Sequence, residues 1–190
     1  MPGKEKKEKC KYEREDYKCG RDIRPGDKHC IFHSKNIEGK KGKFDDAFWK
    51  EFERQKEHEK IFDFTGFVFP GEISFKGKEF EKRANFTDAQ FSGAVFLWEA
   101  QFEEVANFFC AQFSDVVYFW KPQFSEEANF MGAQFSELAD FRQARFSAEA
   151  NFNEVKFKED ADFTDIDIKK KGSFEMQSTT FTTYQVFLNI

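Results

Sequence analysis

Phenylalanine recurs every five or six residues through most of the chain after residue 60, as in the stretch ANFTDAQFSG at residues 84–93. The alternating steps give a period of 22 residues, and positions 22 apart fall into four columns. Every column position is large and apolar: Phe64, Phe86, Phe108, Phe130, Phe152 and Phe174; Phe69, Phe91, Phe113, Phe135 and Phe157; Phe75, Leu97, Phe119, Phe141 and Phe163; Phe80, Phe102, Phe124, Phe146 and Ile168. Self-similarity at a fixed period of this size indicates a repeat architecture.

An amphipathic helix does not explain this spacing. Steps of five and six residues rotate an α-helix by about 140° and about 240°, so successive Phe side chains would not share one face. Leucine-rich repeats have a similar period, but they need an asymmetric run of Leu and an Asn or Cys position that this chain lacks. A coil with four short sides, each supplying one inward Phe, accounts for the whole pattern.

The segments ANFTDAQF, ANFFCAQF, ANFMGAQF and ADFRQARF resemble the pentapeptide-repeat family, whose unit is A-(D/N)-(L/F)-x-x. The resemblance covers residues 62 to about 175. It implies an all-β fold, a right-handed quadrilateral β-helix of about five coils. The central Phe and the small residue two positions earlier would face inward. The chain departs from the five-residue unit by adding a residue to alternate sides, and we expect that residue at a corner.

The polar residues of the repeat also align. Asparagine and glutamine recur at the same spacing, so we expect their amides to form hydrogen-bonded ladders along the axis. The two series are Asn85, Asn107, Asn129 and Asn151, and Gln90, Gln112 and Gln134. We interpret these ladders as structural.

Segments on either side of the repeat are predicted to cover its ends, which would otherwise expose strand edges. Phe44, Phe48 and Phe52 have helical spacing, so residues 44–61 predict a capping helix that starts at Asp45 or Asp46. The segment 177–190 is apolar and strand-like, and it predicts either a cap or the edge of a homodimer. The domain boundaries are then 1–43 for a basic arm, 44–61 for the helix, 62–176 for the β-helix and 177–190 for the C-terminal segment.

Charge differs along the chain. Residues 1–43 hold 14 Lys or Arg against 8 Asp or Glu, a net charge of +6, whereas residues 84–163 hold 5 against 14, a net charge of −9. The basic segment predicts a solvated arm, and contact with an acidic partner or a nucleic acid is the alternative. We expect no membrane partner, because the sequence has no apolar span and no secretory signal. The mixed charge signs and few aromatic residues of the basic segment disfavour a nucleic-acid partner. These features predict a cytoplasmic protein.

The arm contains the only segment with plausible site chemistry. Cys10, Cys19, Cys30 and His33 form the spacing C-x8-C-x10-C-x2-H, and three thiolates with one imidazole suit tetrahedral zinc. The short C-x2-H step favours a metal site, whereas the two long loops differ from common zinc motifs, so reduced, unligated cysteines are the alternative. Metal would supply much of the folding energy of so short and polar a segment. His29 is a reserve ligand, and Cys110 lies outside the site, at an outward or corner position.

No common catalytic motif is present. The sequence has no G-x-S-x-G, no phosphate-binding glycine loop and only three His, of which His58 lies in the charged helix. A zinc ion with four protein ligands would leave no position for a reacting water. A metal-dependent enzyme is therefore the least favoured alternative.

The sequence predicts a non-enzymatic interaction or scaffold protein. Phe96, Trp98, Tyr118 and Trp120 fall at outward positions on neighbouring coils, so they predict a partner surface, with local packing as the alternative. The 22-residue register places Leu97 at the inward column position, but the rhythm slips here, and the sequence leaves open whether Phe96 or Leu97 faces inward. Some proteins of this fold shield DNA gyrase with a DNA-like acidic surface, so a regulator of gyrase or another nucleic-acid enzyme is an alternative. The acids lie on two opposite sides of the coil, however, which disfavours it.

Overall fold

The computed structural model describes residues 8–23, 26–40, 42–170, 173–182 and 186–189, the last of these by backbone alone. From residue 62 onward, short strands stack into four parallel sheets. Each sheet is one side of a β-solenoid, because neighbouring strands in a sheet come from successive coils. The predicted all-β fold of about five coils at a spacing of about 22 residues is confirmed.

We number the sides in chain order. Side 1 contains Phe62–Asp63, Ala84–Asn85, Ala106–Asn107, Ala128–Asn129, Ala150–Asn151 and Phe174–Glu175. Side 2 contains Val68–Phe69, Gln90–Phe91, Gln112–Phe113, Gln134–Phe135, Lys156–Phe157 and Thr180–Phe181. Side 3 contains Ile73–Ser74, Val95–Phe96, Val117–Tyr118, Ala139–Asp140, Ala161–Thr164 and Val186–Asn189. Side 4 contains Glu79–Phe80, Gln101–Phe102, Gln123–Phe124, Arg145–Phe146 and Asp167–Ile168. Coils 1 to 5 begin with the first five strands of side 1.

Each side follows one inward–outward–inward pattern. Ala84 and Phe86 are buried, whereas Asn85 between them is half exposed. The corners alternate in length: residues 87–88 connect sides 1 and 2, and residues 92–94 connect sides 2 and 3. The second residue of the shorter corners has a left-handed backbone, as at Asp88 with φ of 56°. The added residue of the longer steps therefore lies at a corner, as predicted.

The interior is a set of stacked aromatic columns. Phe86, Phe108 and Phe130 follow one another with ring centroids 4.9 Å apart and planes within 2° of parallel. Rings from adjacent columns meet edge to face, as between Phe119 and Phe130 at 5.4 Å. Leu97 is buried in its column and Phe96 is half exposed, so the structure decides the choice that the sequence left open in favour of Leu97.

The last coil breaks the predicted period. Ala150 pairs with Phe174, a separation of 24 residues, so Phe174 occupies the small position of side 1 and does not continue the first column. The predicted placement of Phe174 is wrong because two additional residues enter the corner between Ile168 and Phe174. Phe174 packs against Phe152 and Phe163 instead, with centroids 5.2 and 5.9 Å away.

Part of the predicted C-terminal segment lies outside the described residues. Val186–Asn189 pairs in parallel with Ala161–Thr164 and adds the last strand of side 3. Residues 183–185 and 190 are not described. The choice between a cap and a homodimer edge for residues 177–190 therefore stays a prediction.

The asparagine columns bond differently from the prediction. The side-chain oxygen of Asn85 accepts hydrogen bonds from the backbone N–H and the hydroxyl of Thr87, at 3.2 and 2.7 Å. Its Nδ2 donates to Thr65 Oγ1 of the previous coil at 2.9 Å. Across the described residues, no Asn or Gln of the two series bonds to another member of its series. The ladder prediction is wrong because the corners, two residues further on, take the Asn oxygens.

Helix α1 (Phe44–His58) covers the N-terminal end of the solenoid. Phe48 contacts the rings of Phe64, Phe69 and Phe75 with centroids 5.1–5.8 Å apart, which supports the predicted plug. The helix starts at Phe44, so Asp45 and Asp46 lie in its first turn and make no capping hydrogen bond. The predicted N-cap is therefore wrong, although carboxylates in the first turn still stabilise the helix dipole.

The inward pattern generates a stability prediction. Phe130→Ala removes a ring that stacks on both Phe108 and Phe152, so it should lower the free energy of unfolding by about 3–5 kcal/mol. Met131→Ala, at the adjacent half-exposed corner, should cost less than about 1 kcal/mol. Urea unfolding of the two variants measures the difference. Equal losses would contradict the inward assignment.

Candidate functional site

A hairpin and a turn bring the four predicted metal ligands together. Strands Glu13–Arg14 and Tyr17–Lys18 pair antiparallel, and the pairing extends to the Cys10 N–H, which donates to the carbonyl of Arg21 at 2.9 Å. Cys10 and Cys19 therefore sit on facing strands. Cys30 and His33 lie in one turn, in which the Cys30 carbonyl accepts the N–H of His33 at 3.1 Å. Local hydrogen bonding thus closes both long sequence gaps.

The ligand atoms form a compact, buried cluster. Those of Cys10, Cys19, Cys30 and His33 all lie within 4.8 Å of one another, and all four residues are buried. Cys30 Sγ is 3.3 Å from His33 Nδ1 and 3.9 Å from Cys19 Sγ, and Cys10 Sγ is 3.6 Å from His33 Nδ1. A tetrahedral zinc site has ligand–ligand edges of about 3.6–3.8 Å, as follows from its bond lengths. The cluster has the size and donor set for a metal ion.

His33 is fixed in the tautomer that a metal requires. Its Nε2 lies 2.8 Å from the carbonyl oxygen of Thr65, which can only accept a hydrogen bond. Nε2 therefore carries the proton, and Nδ1 presents its lone pair to the three thiols. The Tyr12 ring stacks on the imidazole at 4.1 Å with parallel planes. The imidazole is thus held on two sides by protein contacts.

Gly66 makes the stacking of Tyr12 possible. It forms a corner of coil 1 with φ of +64°, and a Cβ at this position would lie 2.0 Å from Tyr12 Cζ. Two constraints therefore act on the same residue: a left-handed backbone that favours glycine and the absence of any side chain under the Tyr12 ring.

Two cations lie beside the thiols. Arg21 Nη1 is 3.7 Å from Cys19 Sγ, and Arg21 Nη2 donates to Glu51 of helix α1 at 2.8 Å. Lys40 is buried, and its Nζ donates to the carbonyls of Phe32 and Val68. Burial lowers the pKa of Lys40 to about 7, and the neighbouring Cys30 opposes that shift. Negative charge at the thiols therefore favours the ammonium form of Lys40.

The thiols share protons among themselves. A hydrogen bond from Cys30 holds the pKa of Cys19 well below its usual range, despite burial. The same hydrogen bond, together with burial, raises the pKa of Cys30. One thiolate therefore forms readily, whereas further thiolates in this small volume repel one another unless a cation lies between them.

The sequence predicted a solvated basic arm. In the structure this arm is docked on the solenoid and does not extend into solvent. Phe32 stacks on Phe67 of coil 1 at 4.5 Å, and its carbonyl accepts the N–H of Val68 at 2.7 Å. Arg14 pairs with Asp88 of coil 2 at 3.2 Å. The expectation of a solvated arm is wrong because its few apolar side chains and its metal-ligand cluster all pack on the first coil.

Several residues of this region had no clear signal in the sequence. Tyr12, Arg21 and Lys40 looked like members of a charged arm, and Thr65 acts through its backbone. Phe62 and Phe67 fall where later coils carry Ala or Val, so their size was a signal that coil 1 is covered. The reserve ligand His29 lies outside the cluster and lines an adjacent cleft. Cys110 lies at a left-handed corner, half exposed, as predicted.

The four outward aromatic residues lie together on side 3 and its corner with side 4. We call Phe96, Trp98, Tyr118 and Trp120 the aromatic face, and all four are half exposed. Phe96 and Tyr118 stack at 5.3 Å, and Trp98 meets both of them edge to face at 5.4 and 5.9 Å. Trp120 joins them around a depression of about 160 Å³. Partial burial of these rings thus comes from one another.

Two residues of the aromatic face occupy positions at which other coils carry a side chain that accepts a hydrogen bond from the corner backbone. On side 3 the outward residue of coils 1, 4 and 5 accepts the backbone N–H two positions further on: Ser74 from Lys76 at 3.4 Å, Asp140 from Arg142 at 3.0 Å and Asp162 from Thr164 at 2.9 Å. Coils 2 and 3 carry Phe96 and Tyr118 at this position. Neither ring offers an acceptor to the corner. Two successive coils therefore have an aromatic residue in place of one that accepts the corner hydrogen bond.

The acidic corner residues lie on two opposite corners, for example Glu126 and Glu127 against Asp115 and Glu137, so no single acidic face results. Within the described residues, no helix is long and apolar enough to cross a membrane.

Comparison with known proteins agrees with the fold. A family model described as pentapeptide repeats (9 copies) matches residues 119–167. Residues 119–167 of this chain carry pentapeptide repeats. The resemblance drawn from the sequence is therefore confirmed, and the matched residues run from Phe119 in coil 3 through coil 4 and most of coil 5. Searches of curated proteins and of solved structures found no match.

The contact between Tyr12 and Gly66 generates a prediction with a built-in control. Gly66→Ala should displace Tyr12 and open the thiol cluster, whereas Gly77→Ala meets nothing within 4 Å at a corner of similar φ, +61°. The Gly77 variant should show only the left-handed backbone cost, about 1–2 kcal/mol. Reaction of Cys10, Cys19 and Cys30 with a thiol reagent in the protein as purified should accelerate in Gly66→Ala alone. Equal rates in both variants would contradict the role of Tyr12.

Proposed function

We propose that this pentapeptide-repeat protein is a non-enzymatic interaction or scaffold protein that binds a partner through the aromatic face. Its N-terminal end is held closed by a structural zinc ion at Cys10, Cys19, Cys30 and His33. The observation that carries the partner surface is the replacement of the corner-capping side chain by Phe96 and Tyr118 in two successive coils. The solenoid is then a rigid support that fixes the spacing of these rings.

Packing needs within the solenoid do not account for the aromatic face. Ser or Asp at the outward position satisfies the following corner, as coils 1, 4 and 5 illustrate, and a half-exposed ring loses that hydrogen bond and keeps apolar surface in water. Tryptophan and tyrosine in a contiguous patch are the residues that dominate binding energy at protein interfaces. A partner that covers these rings would recover the burial that the isolated chain lacks.

The donor set favours zinc over other metals. Three thiolates and one imidazole in a tetrahedral arrangement suit Zn²⁺, whereas carboxylate and carbonyl oxygens suit Mg²⁺ or Ca²⁺. With zinc, the centre carries a net charge of −1, and the half-buried Arg21 and the buried Lys40 place positive charge beside it. The Thr65 carbonyl supplies the outer hydrogen bond that ligating histidines usually make. Four protein ligands fill the tetrahedron, so the role is structural and not catalytic.

A reducing compartment fits this proposal. The four cysteines are free, and three of them must stay reduced to ligate zinc. We therefore propose a cytoplasmic location. The same zinc-bound cap supports a non-enzymatic function, because it uses the strongest nucleophiles of the chain as ligands.

Metal removal tests the zinc proposal. Wild-type protein purified without added metal should contain one zinc per chain, and Cys30→Ser should lose it. His29→Ala is the matched control, because His29 lies outside the cluster, and it should retain the metal. Chelation should release residues 8–40 from coil 1 while coils 2 to 5 change little, since their ring columns do not contact the arm. Hydrogen exchange measures both effects. An ordered arm in metal-free wild-type protein would contradict the proposal of a structural zinc ion.

Loss of the aromatic face tests the partner surface. A photo-reactive benzoylphenylalanine in place of Phe96 should cross-link one defined partner, and Trp98→Ala with Trp120→Ala should abolish that product. Stability should stay within about 1 kcal/mol of wild type, as for most surface changes. The matched control is Phe109→Ala with Met131→Ala, at the equivalent first residue of the opposite corner. A product that survives loss of both tryptophans would show that the face is not the partner surface.

A further inference from the structure

The aromatic face extends sideways into the corner between sides 2 and 3. The last residue of that corner is apolar and half exposed in coils 2, 3 and 4, where it is Ala94, Val116 or Leu138. Polar Ser74 and Asp140 bound the face along the solenoid axis. Side 3 therefore presents an apolar strip that spans its full width but only the middle of its height.

Opposite charges flank this strip. The corner between sides 2 and 3 carries the acidic residues Glu72, Asp115 and Glu137. The corner between sides 3 and 4 carries Lys76, Glu99, Lys121 and Arg142, a net charge of +2. Lys76 and Lys121 lie over the rings of Trp98 and Trp120, with Nζ 5.3 and 4.3 Å from the ring centroids. The side is thus acidic along one edge, apolar in the middle and mainly basic along the other edge.

In coils 1, 3 and 4, the two edges of side 3 carry charges of opposite sign. Coil 1 has Glu72 on one edge and Lys76 on the other, and coil 3 has Asp115 and Lys121. Coil 4 has Glu137 and Arg142, whose guanidinium also pairs with Asp140 of the same coil at 2.7 Å. Coil 2 is the exception, because its basic edge carries an acid, Glu99. On that level the acidic edge carries no charge, since its corner consists of Ser92, Gly93 and Ala94.

This pattern is complementary to itself under one particular rotation. A two-fold axis parallel to the solenoid axis places each edge of one copy against the opposite edge of the other at the same coil level. Glu72 then meets Lys76, Asp115 meets Lys121 and Glu137 meets Arg142, while Glu99 meets an uncharged corner. A two-fold axis across the solenoid would place acidic edge on acidic edge, which is repulsive.

We propose that the occupant of the aromatic face is a second copy of this chain, docked side by side with both solenoids pointing the same way. The proposal rests on the proposed function, in which this face binds a partner. Side-chain sizes agree, because Ala94 then faces Trp98 and Val116 faces Trp120. Phe96 and Tyr118 lie nearest the axis and pack against the same residues of the partner.

Neither the cap nor the last coil obstructs this arrangement. The arm lies at the corner between sides 1 and 2, through Phe67 and Asp88, which is across the solenoid from side 3. In coil 5 the edges carry Lys158, Glu159 and Asp160 against Asp165, so this level adds no net attraction and marks the limit of the contact. Four coils span about 19 Å, a contact near the lower end of stable interfaces, so the dimer should dissociate in the micromolar range.

Charge exchange tests both the occupant and its orientation. Lys121→Glu alone and Asp115→Lys alone should each weaken the dimer at least about tenfold, because each creates two symmetric like-charge contacts. A mixture of the two variants should recover dimers of wild-type affinity, and so should the double variant in one chain. Sedimentation over concentrations up to several hundred micromolar measures the equilibria. Glutamate stands at the equivalent left-handed corner positions 99 and 154, so Lys121→Glu fits the backbone.

Glu126→Lys is the matched control, since it makes a similar charge change in coil 3 at the opposite corner and should leave the dimer intact. If the wild-type protein is monomeric, the proposal that a second copy occupies the aromatic face is wrong. A cross-link from position 96 to a different protein would still support the aromatic face as a partner surface. A dimer insensitive to all face variants would overturn the second copy here and point to the C-terminal edge. Two weakened single variants that fail to recover when mixed would overturn the parallel orientation.

Discussion

The fold depends on the agreement between two spacings. Backbone hydrogen bonds hold successive coils at the strand spacing of about 4.8 Å, and this is also a favourable distance for parallel aromatic rings. Phe86, Phe108 and Phe130 meet both conditions, with centroids 4.9 Å apart. Four columns of rings fill the interior only if the residue two positions before each ring is small. Alanine and valine at those positions therefore follow from the same constraint.

The ends of such a stack need a different solution. In coil 1 the small positions hold Phe62, Phe67 and Ile73, because the space beyond them is occupied by helix α1 and the arm rather than by another coil. The helix fills the middle of the open end with Phe48 and Phe52. The metal-ligand cluster holds the arm at one corner of coil 1, through His33 and Thr65. The cap and the first coil are therefore one packed unit, and the candidate metal site lies within it.

The sequence alone predicted the interior almost completely, because a repeat states each inward position several times. It also predicted the four clustered ligands, since Cys and His are few and their chemistry is specific. Three features escaped it for physical reasons. The Asn oxygens serve corners whose left-handed backbone no residue type marks, since Asp, Glu, Lys, Cys and Gln all adopt it here. Docking of the arm rests on tertiary contacts of Tyr12 and Phe32. The shift at Phe174 arises from two added residues in a corner, where the pattern constrains the sequence least.

Because of that shift, further coils can be accommodated at some places in the solenoid and not at others. Coils 2 to 5 are interchangeable in their interior, so a unit inserted among them would find a continuous column above and below. At Phe174 the first column is interrupted, because a ring stands where a small residue is needed and Met176 stands where a ring is needed. The second column continues, since Phe181 stacks on Phe157 at 5.1 Å. A coil added beyond that point would have no ring of the first column to stack on. Lengthening of the rod by internal duplication is therefore compatible with this fold, whereas extension at that end is not.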